Sequence, residues 1–174
     1  MANQIPEKIV NFEAYDSETG RFLGLVDITN PSIEPMTSTV SGAGIGGEIE
    51  APTLGHFKSM EVQFSWRTVT DAALALEEPK AHTISLYAAQ QELDAGTGEL
   101  KVVSIKEVVR GRMKKDDLGK LAVGADTGAT TTLELDYFKL DKDDTNVIEI
   151  DKYNQIFKVN GKDYLSDVRR ALGL

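Results

Sequence analysis

No cysteine occurs in the 174 residues, which removes disulfide staples, Cys-ligated zinc, iron–sulfur clusters and thiol nucleophiles together. Histidine is nearly as scarce. His56 and His82 are the only two; they sit in unlike contexts with no nucleophile beside them, and both read as ordinary surface or packed side chains. No stretch approaches the ~18 consecutive apolar residues that would span a bilayer. Positive charge is short as well: 19 Lys and Arg stand against 28 Asp and Glu, for a net charge of -9. A surface built to neutralise phosphates needs the reverse balance. The opening stretch Met1 to Val10 lacks the basic-then-apolar layout of a signal peptide, so the expected product folds in the cytoplasm of the cell that makes it.

Catalytic signatures are missing in the same way. No G-x-S-x-G, P-loop or H-E-x-x-H pattern occurs, and no residue set points to an enzyme or to a cofactor. Gly42-Ala43-Gly44-Ile45-Gly46-Gly47 fits the dinucleotide pattern G-x-G-x-x-G letter for letter. That pattern works by seating pyrophosphate on a helix that directly follows a strand. Here Thr37 to Ser41 makes a poor strand, and Glu48 to Pro52 is broken by proline and would set carboxylates beside the phosphate. Asp141-x-Asp143-x-Thr145 begins like a calcium loop, but Asn146 stands where glycine is required and Lys152 where a bidentate Glu is required. A solvated hairpin turn is the reading that remains.

What is present is β-structure. Hydrophobic residues at 41% and charged residues at 27% suit a single soluble domain. Two unusually long extended segments, Glu99 to Lys115 and Asp126 to Leu140, form its centre. Read with the strand period of two, the first places Val103, Ile105, Glu107, Val109 and Met113 on one face and Val102, Ser104, Lys106, Val108, Arg110 and Arg112 on the other, a mixed one. The second places Leu133, Leu135 and Tyr137 on one face, with Thr132, Glu134, Asp136 and Phe138 opposite. Compact domains use strands of roughly 5 or 6 residues. Strands this long, wetted on one side, point to a wall.

Around them the sequence predicts a hairpin from Lys8–Tyr15 and Arg21–Thr29, closed by the turn Asp16 to Gly20. Met36 to Phe57, rich in Ser, Thr, Gly and Pro, reads as a long loop or arm, functional or docked on something. Met60, Val62, Phe64 and Trp66 alternate cleanly as a core strand. Ala72 to Glu77 reads as a helix of two or three turns, with Thr70-Asp71 before it and Pro79 after. His82 to Glu92 reads as a strand, Asp116 to Gly128 as a polar connector, and Asn160-Gly161 as a hairpin turn. Leu165, Val168 and Leu172 at helical spacing predict a short C-terminal helix. Charge is segregated along the chain. Thr132 to Asp151 carries seven acidic residues against two lysines, whereas Lys152 to the end carries five basic against two acidic. Such an arrangement fits self-complementarity, one copy's basic patch meeting another copy's acidic one in a defined homo-oligomer.

The block from Ile150 to Gly161 (IDKYNQIFKVNG), followed by Asp167 to Leu174 (DVRRALGL), resembles the end of the major tail tube proteins of contractile-tailed phages and of related phage-tail-like bacteriocins. Ser41-Gly42-Ala43-Gly44, Ser59-Met60-Glu61, Val109-Arg110-Gly111-Arg112 and Asp136 to Leu140 match that family in the same order. The resemblance implies a β-barrel-like double antiparallel sheet with a small helix and a short C-terminal helix. It further implies hexameric rings stacked into a hollow tube inside a sheath, conducting DNA or puncturing an envelope, with sheath, baseplate and terminator proteins as partners. If about six subunits gave about four strands each, a barrel of about 24 strands tilted at ~40° would be roughly 48 Å across, enough for a duplex-wide lumen.

On this reading Glu134 and Asp136 are expected to line the lumen, where negative charge would keep DNA from sticking. Gly42, Gly44, Gly46 and Gly47 are expected in an inter-subunit loop, and Arg169 and Arg170 at a sheath or inter-ring contact. Two other readings stand beside it: the tube of a cellular injection machine with protein cargo, and a monomeric β-barrel that binds a small ligand or sugar, which needs an apolar cavity with a few convergent polar groups.

Overall fold

The computed structural model describes residues 4–24 and 26–174; Leu25, within the expected second strand of the hairpin, and part of the Met1 to Val10 reading lie outside them. In chain order the elements are β1 (Gln4–Asp16), β2 (Val26–Thr29), β3 (Pro35–Val40), β4 (Ile49–Phe57), β5 (Glu61–Trp66), α1 (Asp71–Ala75), β6 (His82–Asp94), β7 (Leu100–Asp117), β8 (Ala129–Lys142), β9 (Thr145–Asp151), β10 (Ile156–Val159), β11 (Lys162–Asp163) and α2 (Ser166–Ala171). The fold is mainly β, with antiparallel sheets and two short helices, as the sequence predicts.

One large sheet runs β1-β6-β7-β8-β9-β10-β11. The long pair, β7 and β8, is its centre, and the second edge of β8 is shared. Residues 129–134 pair with β5, which in turn pairs with β2, and residues 137–142 pair with β9. The sheet folds over one core in which Met60, Val62, Phe64, Ile84, Val109, Leu133, Leu135 and Ile150 are fully buried. Trp66 closes it, its Nε1 donating to Thr131 Oγ1 (2.9 Å), which donates onward to Asp116 Oδ1 (2.7 Å). α1 sits against the core through Ala72, Ala73 and Leu76, and the Thr70 hydroxyl accepts from the Ala73 amide at 3.1 Å. It has only five residues, shorter than the two or three turns expected, because the chain leaves it at Leu76 for the bend before Pro79.

Three further expectations need correction. The hairpin of Lys8–Tyr15 with Arg21–Thr29 begins as read, with the Asp16–Arg21 and Leu23–Ala14 backbone bonds and a Tyr15–Phe22 bridge. The chain then departs at Gly24, which takes φ 99°, and Val26–Thr29 pairs with β5 instead. The Met36 to Phe57 loop is itself a two-stranded sheet, β3 against β4. Proline did not break it because in a two-stranded ribbon every strand is an edge, where a missing donor costs no ladder bond.

The third concerns the faces of β8. Arg110 pairs with Tyr137 and Gly111 with Leu135, leaving Asp136 as an extra residue. This β-bulge inverts the alternation beyond it. Phe138 is therefore buried in the core and Tyr137 joins the polar face, the opposite of an uninterrupted period of two. The two expected turns are present, with positive φ at Asp143 and Asp144 and again at Asn160 and Gly161.

Candidate wall and self-assembly surface

Because β6 to β11 are in continuous antiparallel register, residues on the polar face fall into rows across the strands. One row reads Val108, Lys139, Glu149, Lys158, Asp163, alternating in sign across β8 to β11. A second reads Thr83, Arg110, Tyr137, Asp151. Opposite charges placed directly across an antiparallel pair attract, and the side chains close these rows with bonds. On the polar face Lys158 Nζ lies 2.9 Å from Glu149 across the β9–β10 pair and Lys139 Nζ 2.7 Å from Asp141 along β8; on the opposite face Lys142, across from Ile105, lies 2.8 Å from Glu92. Arg110 donates from Nε to Asp136 at 2.8 Å, lies 3.5 Å from Asp151 through Nη2, and stacks over the Tyr137 ring at 5.4 Å.

The titration behaviour follows from this packing. The hydrogen bond it donates to Asp136 is the main reason the Arg110 guanidinium is held above its usual value. Burial pushes the Tyr137 phenol up to about 12, helped by the nearby Glu149 carboxylate. Burial also pushes Glu134 and Asp141 upward. In each the opposing partners win, the Ser59 hydroxyl and Lys114 for Glu134, Lys139 and Asn146 for Asp141, so both carboxyls lie below their ordinary value.

The sequence-predicted residues fall on this frame as follows. Glu134 and Asp136 are both on the polar face, but neither is a free negative charge. Glu134 has Lys114 at 3.0 Å and Lys152 at 3.7 Å, and Asp136 has Arg110. Gly42, Gly44, Gly46 and Gly47 cap the β3–β4 hairpin, with open space around each Cβ position. Arg169 is tied back to its own subunit by Asp163 and the Gln155 carbonyl, while Arg170 pairs with Asp167 and is largely exposed. The structure does not bring these three groups together. The wall residues, the hairpin tip and α2 are separate features of one surface.

What sequence reading missed is the arm's character and the sheet's open margin. Ser38 pairs with Ala51 and Val40 with Ile49, so Met36, Val40, Ile49 and Ala51 share one face of the hairpin. Met36, Val40 and Ile49 are exposed there. The arm stands on β10 and α2: Phe57 packs edge-on against Phe157 with centroids 5.1 Å apart, and a Cβ on Gly55 would meet the Leu165 side chain at 2.5 Å. At the other end of the sheet path, the outer edge of β1 is covered at residues 14–16 by Arg21 to Leu23, and among the described residues the rest of it pairs only with β6; Ile5, Ile9 and Val10 are exposed along that open part. An edge this long and apolar is one that folded chains ordinarily cover. The apolar ends of Met36–Val40, with Ser38 between them on the same face, were a weak signal for the arm.

Comparison with known proteins agrees with the resemblance. The sequence pattern of the family described as phage tail tube protein FII matches residues 6–173. The chain is 29% identical over 151 residues to the tail tube protein of Escherichia phage P2, covering 84% of this chain and 86% of that protein. It is 26% identical over 171 residues to the major tail tube protein of Serratia phage KSP20, with 98% of each covered.

Proposed function

The chain belongs to the phage tail tube protein FII family, and from that premise we propose that it is the subunit of hexameric rings that stack into the hollow tube of a contractile tail. Tail tube proteins are structural components of phage virions, and the tube is their assembly. The observation that carries the finer reading is the combination of a long open edge on β1 with a continuous polar face across β6 to β11. A monomer has no use for either. A ring closes the edge by strand pairing with the next copy and turns the polar face to an aqueous channel.

In that assembly Glu134 and Asp136 face the lumen as members of the ion-pair lattice rather than as bare negative charge. The lattice still suits a conduit. Phosphate backbones bind surfaces that offer free Lys and Arg, and here Arg110, Lys114, Lys139 and Lys158 each have a carboxylate partner within the chain. The β3–β4 arm, tipped by Gly42 to Gly47, packs on the adjacent subunit or ring. The exposed Arg170 end of α2, beside Arg169, is offered to the sheath or to the next ring, and baseplate and terminator proteins close the tube's ends.

Negative-stain microscopy of the purified chain tests the assembly. Rings or tubes about as wide as the roughly 48 Å barrel plus its outer layer are expected; stable monomers at high concentration would overturn it. Deleting Gly42 to Gly47 should leave a folded monomer that no longer polymerises. For the lumen, the double substitution Glu134→Gln and Asp136→Asn should leave tubes intact and slow DNA passage by leaving Lys114 and Arg110 with one carboxylate partner each in place of two. Unchanged passage would remove Glu134 and Asp136 from the channel.

A further inference from the structure

Beside the open edge of β1 lies a groove of about 400 Å³ on the core side of β1, β6 and β7, roofed by β2. Its walls are apolar, with Ile9, Phe12, Ile28 and Ile105 among them, and its floor is Glu107. That carboxyl is 92% covered, given its 8% relative exposure. The Asn30 amide donates to one of its oxygens at 3.0 Å, and the other oxygen is buried with no partner among the described residues. A buried carboxyl oxygen without a partner is costly. It indicates a group that arrives from outside the chain.

The two ends of the sheet path differ in what they carry. At the β1 end, residues 4–34 hold six carboxylates against two cations, and the groove opens there. At the β10–β11–α2 end, residues 152–174 hold five cations against two carboxylates, with Lys162 the one cation lacking an ion-pair partner among the described residues, and the arm, which carries Glu48 and Glu50 and no cation, projects from that end with Met36, Val40 and Ile49 uncovered. A head-to-tail contact between copies joins one end of the sheet to the other, and its charges are then complementary. The arm's free peptide N–H groups lie at its glycine tip, where among the described residues the one backbone bond outside the β3–β4 ladder runs from Ile45 N–H to the Gly42 carbonyl.

We propose that the Glu107 groove is the receptor for the arm of the next copy around the ring, with Ile45 and the apolar face of the hairpin filling it and a tip amide donating to the unpartnered Glu107 oxygen. The proposal rests on the tube reading and names the contact that orders its subunits. A small apolar ligand is the other occupant such a groove admits, and the test separates the two.

Because the chain has no cysteine, engineered thiols report on this contact alone. Chains carrying Ile9→Cys and chains carrying Ile45→Cys are mixed, assembled, and oxidised. Disulfide-linked dimers of one of each kind are expected, at least tenfold above either chain alone, since bridging requires Cα atoms within about 7 Å. Ala88→Trp, which fills the groove from β6, should leave the monomer's melting temperature unchanged and abolish tubes. Tubes that form from wild-type chain while Ile9→Cys links to none of Ile45→Cys, Val40→Cys or Ile49→Cys would overturn the receptor but leave the tube standing. Tubes at wild-type yield from Ala88→Trp would do the same. Wild-type chain that stays monomeric would overturn both.

Discussion

Gly111→Ala is the substitution that tests the long strand pair most directly. Gly111 sits in β7 opposite Leu135, at the point where Asp136 is extra in β8. A Cβ there would lie 2.3 Å from the Glu134 carbonyl oxygen and 2.9 Å from a methyl of Leu135. Contact distance for carbon and oxygen is about 3.3 Å, so the strands must part by nearly 1 Å. The obstacle is backbone in mid-sheet, which cannot rotate away as a side-chain tip can. Overpacking costs about 1–3 kcal/mol, and this geometry belongs at the upper end, about 3 kcal/mol. In a chain of 174 residues, where each kcal/mol moves the midpoint by about 2–4 °C, the melting temperature should fall by about 6–12 °C. Thermal unfolding followed by circular dichroism measures it. Gly47→Ala is the matched control: its Cβ meets open space, and its midpoint should not move. A Gly111→Ala protein that melts within about 2 °C of wild type would refute the close approach and the bulge that creates it.

Arg110→Met strands Asp136 and Asp151, whose side chains are only 14% and 5% exposed. It should cost about 2–3 kcal/mol in urea unfolding at pH 7. Two carboxyls should give pH dependences of opposite sign. Glu134 is held low, with burial outweighed by Ser59 and Lys114, so its contribution is complete above the ordinary Glu value and is lost as pH falls through the lower folded one; Glu134→Gln should flatten the acid limb of a stability–pH curve. Glu107 is held high by burial, partly offset by Asn30, so its ionisation opposes folding at neutral pH; Glu107→Gln should be at least as stable as wild type at pH 7, with the gap closing as pH falls through the raised value.

Much of this architecture was legible because the strongest signals were local. Met60 to Trp66 alternates without a break and is buried as read. Asn160-Gly161 needs positive φ at two successive residues, and few other pairs accept that readily. The lengths of β7 and β8 were visible because no turn residue interrupts Val102–Val109 or Thr130–Leu140. What escaped was decided at a distance. Val26–Thr29 is equally good as a hairpin partner for β1 or as an edge for β5, and only the core selects β5. The arm reads as a loop because Ser, Thr, Gly and Pro fill it and Ser38 interrupts the apolar positions between Met36 and Val40. Glu134 and Asp136 were correctly placed among polar residues, but their neutralisation depends on Lys114 and Arg110 arriving from β7, which no spacing within β8 reveals.

The bulge at Asp136 deserves its own test, because it explains how one strand serves two partners. β8 bonds β5 before it and β9 after it along the same edge, and the extra residue lies at the changeover, where Arg110 clasps both Asp136 and Asp151. Deleting Asp136 would make Leu135 and Tyr137 consecutive. Their pairings with Gly111 and Arg110 would then be regular, and Leu135 would still face the core, Tyr137 the polar side and Phe138 the core. The deletion should therefore fold, losing mainly one charge-assisted hydrogen bond, about 1.5–3 kcal/mol. Deleting Glu134 instead would make Leu133 and Leu135 consecutive and turn Leu135 out of a core in which it is 1% exposed, a loss of about 2–5 kcal/mol on the scale of truncating a buried leucine. If β8 held an uninterrupted period of two, removing Asp136 would swap Tyr137 and Phe138 between faces, and both deletions would invert the strand beyond them. Urea midpoints of the two deletions, measured side by side, distinguish these cases: an Asp136 deletion that unfolds at as low a urea concentration as the Glu134 deletion would mean that the alternation runs unbroken through β8.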